Sequence, residues 1–242
     1  MGWNKIEWDC IIYKEFRAYL VQIAQEKYRE FNEKIIPFSG VPILGIRLPQ
    51  LRKLAKEVAL GNWESYLKFA QDDSHEELLL QGLVIATTGL QTDFQELWGQ
   101  VAVYVPKLVN WAQVDAFCNA FKLVDRHKEA AFPPIIRYLE SPKEFEVRFA
   151  VVMLLEYYLE PAYIQEIFVQ FDSISHSGYY VKMAVAWAIS VAFIVLPEET
   201  TAYLHHNQLD EWTYRKALQK IVESNRVDKE TKDMIRGWKR KI

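Results

Sequence analysis

Val-Lys-Met-Ala-Val-Ala-Trp, residues 181–187, leads into the longest apolar stretch of the chain, and its first four residues have counterparts on both sides. The counterparts are residues 80–83, 112–115, 147–150 and 214–217. A long polar side chain occupies the second place of each, and these residues follow one another at intervals of 32, 35, 34 and 33 positions: Gln81, Gln113, Arg148, Lys182 and Arg215. Such a regular interval is typical of helix pairs that stack and bury their apolar faces on one another.

Apolar residues recur with a helical period from end to end, and no segment shows the alternation of a strand. The predicted helices cover residues 8–28, 48–59, 75–88, 94–105, 111–123, 128–139, 145–159, 162–171, 179–196, 198–204, 211–223 and 228–239. Gly and Pro, which interrupt helix interiors, are scarce at 9 each. The sequence therefore predicts an all-α fold, an α-solenoid or superhelix of HEAT-like helical repeats that forms a single domain over residues 1–242.

The net charge of −3 excludes a positive field around the whole molecule. Any nucleic-acid contact must therefore come from a local basic face. The dense basic run at 236–241 is most simply a solvated helix end. Arg148, Lys182 and Arg215 occupy matching places in successive repeats, so they form either a positive stripe on one face or ion pairs with acidic neighbours between repeats. Periodicity leaves both alternatives open.

Several familiar sites are excluded by the residues present. Two cysteines make neither a disulfide framework nor a metal cluster, and we expect both Cys10 and Cys118 to be reduced core residues. His75, His127 and His176 stand alone near turns and are expected at the surface. Neither a phosphate-binding glycine loop nor a nucleophile elbow occurs. We therefore expect no metal and no cofactor.

Membrane attachment is also unexpected. The first ten residues lack the apolar stretch of a signal peptide. The longest apolar run, 183–196, is too short to span a bilayer. We expect a cytoplasmic protein with no membrane partner and no obligate protein partner.

Aromatic and acidic residues remain as candidates for chemistry. Trp111 and Asp115 are four residues apart on one predicted helix, so their side chains share a face. Alone, this pair is equally typical of a packed Trp beside a paired Asp, and Trp187 alone would be a core residue. A functional interpretation requires Trp111, Asp115, Arg148 and Trp187, from three successive repeats, to converge on one face.

Four segments together resemble the AlkD-type DNA alkylation repair glycosylases, a family of HEAT-like repeat proteins. Residues 44–53, Leu-Gly-Ile-Arg-Leu-Pro-Gln-Leu-Arg-Lys, resemble the family's early L-G-[IV]-x-x-P-x-x-R segment. Residues 111–115 resemble its W-D-x-V-D, residues 147–150 its arginine repeat, and residues 184–187 its A-[IV]-G-W. The order and spacing of the four segments make the resemblance more specific than any one of them.

The resemblance implies a DNA glycosylase that excises positively charged N3- or N7-alkylated purines from double-stranded DNA without base flipping. It implies that Trp111 and Trp187 pack against the sugar and backbone at the lesion. Asp115 would stabilise the cationic sugar, and Arg148 would hold a phosphate or orient the site. Lys182 and Arg215 would contact the DNA backbone.

The chain departs from the family pattern at three places. Ala112 replaces an acidic residue, Ser190 stands where an arginine is expected, and the segment 35–42 is longer and richer in proline. These departures also fit a catalytically inactive relative that binds DNA of special shape. The acidic balance further fits a HEAT solenoid that binds other proteins, and both alternatives stay open at this point.

Overall fold

A computed structural model describes residues 2–38, 40–88 and 93–238. These residues form fourteen α-helices joined by short turns, and no strand occurs among them. The prediction of an all-α fold built from helical repeats is confirmed. Residues 239–241, which complete the basic run and contain the end of the last predicted helix, lie outside the described residues.

The backbone packs into two compact units, residues 1–127 and 128–242. The single domain expected over 1–242 stays a prediction. The described part of the first unit contains α1 (Cys10–Ile23), α2 (Glu26–Ile35), α3 (Leu48–Ala59), α4 (Trp63–Phe69), α5 (His75–Thr88), α6 (Phe94–Tyr104) and α7 (Trp111–Ala120). That of the second contains α8 (Lys128–Ile136), α9 (Glu144–Tyr157), α10 (Ile164–Ser173), α11 (Tyr179–Val195), α12 (Pro197–His206), α13 (Glu211–Glu223) and α14 (Lys229–Arg236).

Within each unit, alternate helices pack on one another. In the first unit α5 lies between α3 and α7, and in the second unit α11 lies between α9 and α13. α5 buries all of residues 75–86 in this way, and α9, packed against α11, α8 and residues 137–140, buries all of residues 147–155. A helix that buries side chains on all its faces depends on its neighbours for stability in water, so α5 and α9 depend on the helices packed around them. α11 is the longest described helix, and no described helix is long and apolar enough to cross a membrane.

The predicted helix 8–28 is shorter in the structure because a tertiary contact interrupts it. Asp9 caps α1 by accepting hydrogen bonds from the amides of Ile11 and Ile12. The chain then becomes extended, and the amide of Gln25 donates to the carbonyl of Gly45 at 2.9 Å before α2 begins. The expectation of a buried Cys10 is wrong, since this first residue of α1 is exposed; Cys118 is buried as expected.

Gly82 marks the closest approach between α5 and the neighbouring α6. A β-carbon at this position would lie 2.5 Å from Cζ of Tyr104, whose ring is enclosed in the core. Normal contacts of a β-carbon are longer than 3.0 Å, so one of the two helices would have to move. The glycine at this buried position of α5 is therefore required by packing.

We expect Gly82→Ala to lower the free energy of unfolding by about 1–3 kcal/mol, because overpacking an enclosed ring outweighs the gain in helix propensity. Urea unfolding followed by circular dichroism measures this. Gly99→Ala is the matched control, since Gly99 also lies within a helix but nothing stands near its absent side chain. The control should be stabilised by up to about 1 kcal/mol. Equal effects of the two substitutions would contradict the proposed packing constraint.

Candidate functional site

The predicted pair Trp111 and Asp115 lies on the outward side of α7. Both side chains are partly exposed, and Asn119, four residues further along, is exposed. Val114 and Phe117, on the opposite side of the helix, are fully buried. Residues four apart share a helix face, so Trp111, Asp115 and Asn119 form one outward stripe.

A buried network fixes the first turn of α7. Asn110 caps the helix by accepting a hydrogen bond from the amide of Gln113 at 3.1 Å. The side-chain amides of Asn110 and Gln113 lie 3.2 and 3.3 Å from Nδ1 of His75, at the start of α5. The expectation of His75 at the surface is wrong: its side chain is buried because α7 covers it. Two amide donors require an acceptor, so Nδ1 carries a lone pair and His75 is neutral.

The indole of Trp111 reaches a second element. Its Nε1 donates to the carbonyl of Ile35, the last residue of α2, at 3.3 Å. A carbonyl at a helix end has no partner within the helix, so the indole supplies a hydrogen bond that the helix cannot. Trp111 is therefore held at both ends, by the cap of α7 and by the end of α2.

The sequence analysis did not identify two residues as site candidates: Asn119, in the stripe, and Arg52, beside it. Arg52 of α3 donates through NH2 to Oδ1 of Asn119 at 3.2 Å. Lys53 and Lys56 of the same helix are exposed. The sequence held a signal for each residue. Arg52 lies inside the segment 44–53 that resembles the family, and Asn119 continues the four-residue spacing of Trp111 and Asp115.

Arg148, predicted at the site, is buried in the second unit. Its NH1 donates to the carbonyl of Tyr180 at 2.8 Å, while Glu144 accepts a hydrogen bond from the amide of Tyr180 at 2.6 Å. α9 thereby holds both polar groups of one residue in the first turn of α11. The guanidinium fixes the start of the helix that carries Trp187.

The other two predicted cations each contact a carboxylate. Nζ of Lys182 lies 3.2 Å from Oδ1 of Asp210, which also caps α13. Burial would raise the pKa of Asp210, but the hydrogen bonds from Thr213 and Lys182 outweigh it and hold the pKa below its ordinary value. Arg215 pairs with Glu211 on its own helix and is otherwise exposed. The alternative of an ion pair between repeats describes the contact of Lys182, whereas Arg215 pairs within its own helix.

Trp187 lies on α11 and is partly exposed, on the same face as the partly exposed Tyr180 and Met183. Ser190 is buried, and its hydroxyl donates to the carbonyl of Trp187 at 2.7 Å. The position where the family pattern has an arginine is therefore part of the helix interior here. Convergence of Trp111 and Asp115 with Arg148 and Trp187 on one face stays a prediction.

Burial lowers the pKa of His75 below its ordinary value of 6.5, so the unfolded chain takes up a proton first as the pH falls. We expect the free energy of unfolding to decrease below about pH 6.5, by at most about 1.4 kcal/mol per pH unit, until the folded state also titrates. His75→Gln removes this titration and should flatten the profile. His206→Gln, at an exposed position, should leave the profile as in the wild type, and a wild-type slope in the His75 variant would refute the assignment.

Comparison with known proteins agrees with the resemblance of the four segments. No curated protein matches the chain. A family model described as "DNA alkylation repair enzyme" matches residues 14–221, well over half of the chain and all of the residues discussed in this section. The resemblance to the AlkD-type proteins is confirmed at the level of the family. The chain belongs to the DNA alkylation repair enzyme family, which makes DNA its substrate or partner.

Proposed function

We propose that this protein is a DNA glycosylase that releases positively charged N3- and N7-alkylated purines from double-stranded DNA without base flipping. The observation that carries the proposal is the outward stripe of α7, where a fixed indole and a carboxylate stand one turn apart in a chain of this family. Family membership supports a role in alkylation repair, and the stripe supplies the groups for breaking a glycosidic bond.

Asp115 is the group that acts on the reacting sugar. A cationic alkylpurine is already a good leaving group, so the reaction needs stabilisation of an oxocarbenium-like sugar more than a strong acid. A carboxylate about 4 Å from that charge, at an effective dielectric constant near 20, contributes about 4 kcal/mol. This corresponds to roughly three decades of rate. Neutral alkylated bases lack the charged leaving group and are poor substrates under this proposal.

Trp111 and Trp187 provide aromatic surfaces for the sugar and the backbone at the lesion. An indole face attracts a nearby cation by roughly 1–2 kcal/mol when water is excluded. The hydrogen bond from Trp111 to Ile35 restrains the ring before DNA binds, so less conformational entropy is lost in the complex. Trp187 receives a comparable restraint indirectly, through the anchored start of α11.

Arg148 orients the site instead of touching a phosphate. Its burial and its hydrogen bond to Tyr180 support a positioning role, exerted through α11 on Trp187. Lys182 and Arg215 are the proposed contacts to the DNA backbone. Arg215 is the stronger candidate because it is exposed and needs only to exchange Glu211 for a phosphate.

A catalytically inactive DNA-binding relative is the second candidate. The buried Ser190 favours it, because the position of an expected cation cannot reach DNA in this chain. Such a protein would bind DNA with a marked salt dependence, since phosphate contacts release counterions, but it would release no base.

We expect Asp115→Asn to slow base release roughly a thousandfold and to leave DNA affinity nearly unchanged, because the amide keeps the shape but loses the charge. The measurement is single-turnover release of 7-methylguanine and 3-methyladenine from methylated duplex DNA. Asp125→Asn, an equal loss of charge at another exposed position of the same unit, should match the wild type. Release by Asp115→Asn at the wild-type rate would remove Asp115 from the mechanism, and wild-type binding without release would favour the second candidate.

We expect Arg215→Ala to reduce the slope of log affinity against log salt concentration by about 0.9, the contribution of one neutralised phosphate. Titration of fluorescently labelled duplex at four or more salt concentrations measures the slope. Arg226→Ala, at an exposed position between α13 and α14, is the matched control and should leave the slope unchanged. Identical slopes for wild type and Arg215→Ala would exclude Arg215 from the DNA contact.

A further inference from the structure

The proposed function makes no use of a row of four aromatic side chains in the second unit. The row crosses the first turns of three helices that pack on one another, α9, α11 and α13. The ring centroid of Tyr180 lies 5.5 Å from that of Phe145 and 5.1 Å from that of Tyr179. The ring of Tyr179 in turn lies 5.7 Å from that of Trp212. Because each ring contacts the next, the four side chains form one surface, the aromatic row.

Two members of the aromatic row are open to solvent. Tyr179 is 54% exposed and Trp212 is 38% exposed, and the other two rings are partly exposed. Aromatic rings that serve stability alone are covered by their neighbours, as those of Tyr158 and Phe149 are in the same unit. An exposed surface of adjoining rings marks a site where a ligand or partner packs.

A lysine adds a positive charge to the end of the aromatic row. Lys216 follows Trp212 by one turn of α13, and its Nζ lies 5.7 Å from the centre of the indole ring. The same Nζ donates to Oε1 of Gln219, a neutral group, at 2.7 Å. Within the described ranges, Lys216 contacts no carboxylate. An ammonium has three donors, so Lys216 can also bind an anion.

The other charges beside the aromatic row are engaged with one another or with the backbone. Glu144 accepts a hydrogen bond from an amide in the first turn of α11. Asp210 contacts Lys182, and Glu211 contacts Arg215. These contacts leave the surface without an excess of either charge, so its aromatic rings supply most of its capacity to bind.

We propose that Tyr179 and Trp212 pack against the sugars of one DNA strand beside the lesion, and that Lys216 contacts a phosphate of the same strand. The inference rests on the proposed function, because it takes duplex DNA as the ligand. A duplex keeps its bases paired and stacked, so it presents sugars and phosphates along its edge. The C–H groups of a sugar suit an aromatic ring, and a phosphate suits an ammonium, so the composition of the row matches a DNA backbone.

The position of Trp187 favours DNA over a protein as the occupant of the aromatic row. Tyr180 and Trp187 are seven residues apart on α11 and share a face, so they lie about 10 Å apart along the helix axis. Each strand of B-DNA advances about 3.4 Å per nucleotide, so this distance corresponds to about three nucleotides. A strand that packs on Trp187 and continues toward the start of α11 therefore meets the row about three nucleotides from the lesion.

The first test maps the contact on DNA by hydroxyl-radical cleavage, which reports the accessibility of each sugar. The duplex carries a tetrahydrofuran abasic-site analogue, which the protein cannot process. We expect the wild type to protect the sugars at the analogue and a second group of sugars about three nucleotides away. Trp212→Ala should lose protection of the second group alone, whereas Trp212→Phe, which keeps a ring, should retain it.

A second variant makes the result independent of one substitution near the start of α13. Tyr179→Ala truncates the more exposed ring on α11 and should lose protection of the same second group. Thermal melts of all variants establish that folding is unchanged. A wild-type footprint without the second group would refute the proposed contact.

The second test measures DNA affinity at several salt concentrations. We expect Trp212→Ala to raise Kd roughly tenfold with an unchanged salt dependence, because a neutral ring releases no counterions. Lys216→Ala should reduce the slope of log affinity against log salt concentration by about 0.9. Val169→Ala, which truncates an exposed apolar side chain of α10, and Arg226→Ala are the matched controls and should leave Kd and the slope unchanged.

The outcomes separate this proposal from the function on which it rests. Loss of the second protected group in Trp212→Ala supports the aromatic contact even when no base is released, and the glycosylase proposal then fails alone. Base release together with equal footprints and equal Kd values for wild type and Trp212→Ala refutes the contact and leaves the glycosylase. Absence of DNA binding by the wild type refutes both and favours a protein as the occupant of the aromatic row.

Discussion

Hydrogen bonds made by three of the five recurring long polar side chains tie stacked helices to a neighbour, and the order of the stack depends on them. Gln113 of α7 reaches the start of α5, Arg148 of α9 reaches the first turn of α11, and Lys182 of α11 reaches the cap of α13. Helix ends carry polar groups without partners, and these are costly to bury in an apolar stack. In these three repeats, a long side chain at the same place makes a polar contact with the start of a neighbouring helix.

This use of the repeat position limits what the same residues can do for DNA. Arg148 is committed to a backbone carbonyl, and Lys182 is paired with a helix cap, so a phosphate bound by Lys182 would have to displace Asp210. The proposed chemistry therefore rests mainly on side chains next to these hydrogen-bonded residues, namely those of the outward stripe of α7 and of the partly exposed face of α11. The connection between α2 and α3 is also fixed by hydrogen bonds, which the amides of Leu44, Gly45 and Ile46 donate to the carboxylate of Glu76. Hydrogen bonds between side chains and backbone groups of neighbouring elements thus stabilise the stack and position the residues of the candidate site.

Sequence patterns predicted most of the helices because the relevant forces are local. Periodic apolar residues, capping side chains such as Asn110 and Asp210, and a proline in the first turn of α3 identify helix starts from a few neighbouring positions. The break between α1 and α2 and the short helix α4 were not predicted, because both depend on tertiary contacts. The break between α1 and α2 depends on a hydrogen bond to Gly45, and the short α4 gains its stability from packing on α1, α3 and α5.

By itself the sequence determined the all-α class, the repeat interval, the family and the pairing of Trp111 with Asp115 on one helix face, because each follows from spacing along the chain. The tertiary structure alone decided that His75 is buried, that Arg148 serves a carbonyl and that Tyr179 of α11 contacts Trp212 of α13. The partners of His75 and Arg148 lie more than thirty residues away in sequence. The packing of helices that are distant in sequence therefore determines the hydrogen-bond partners of polar groups and the exposure of apolar side chains.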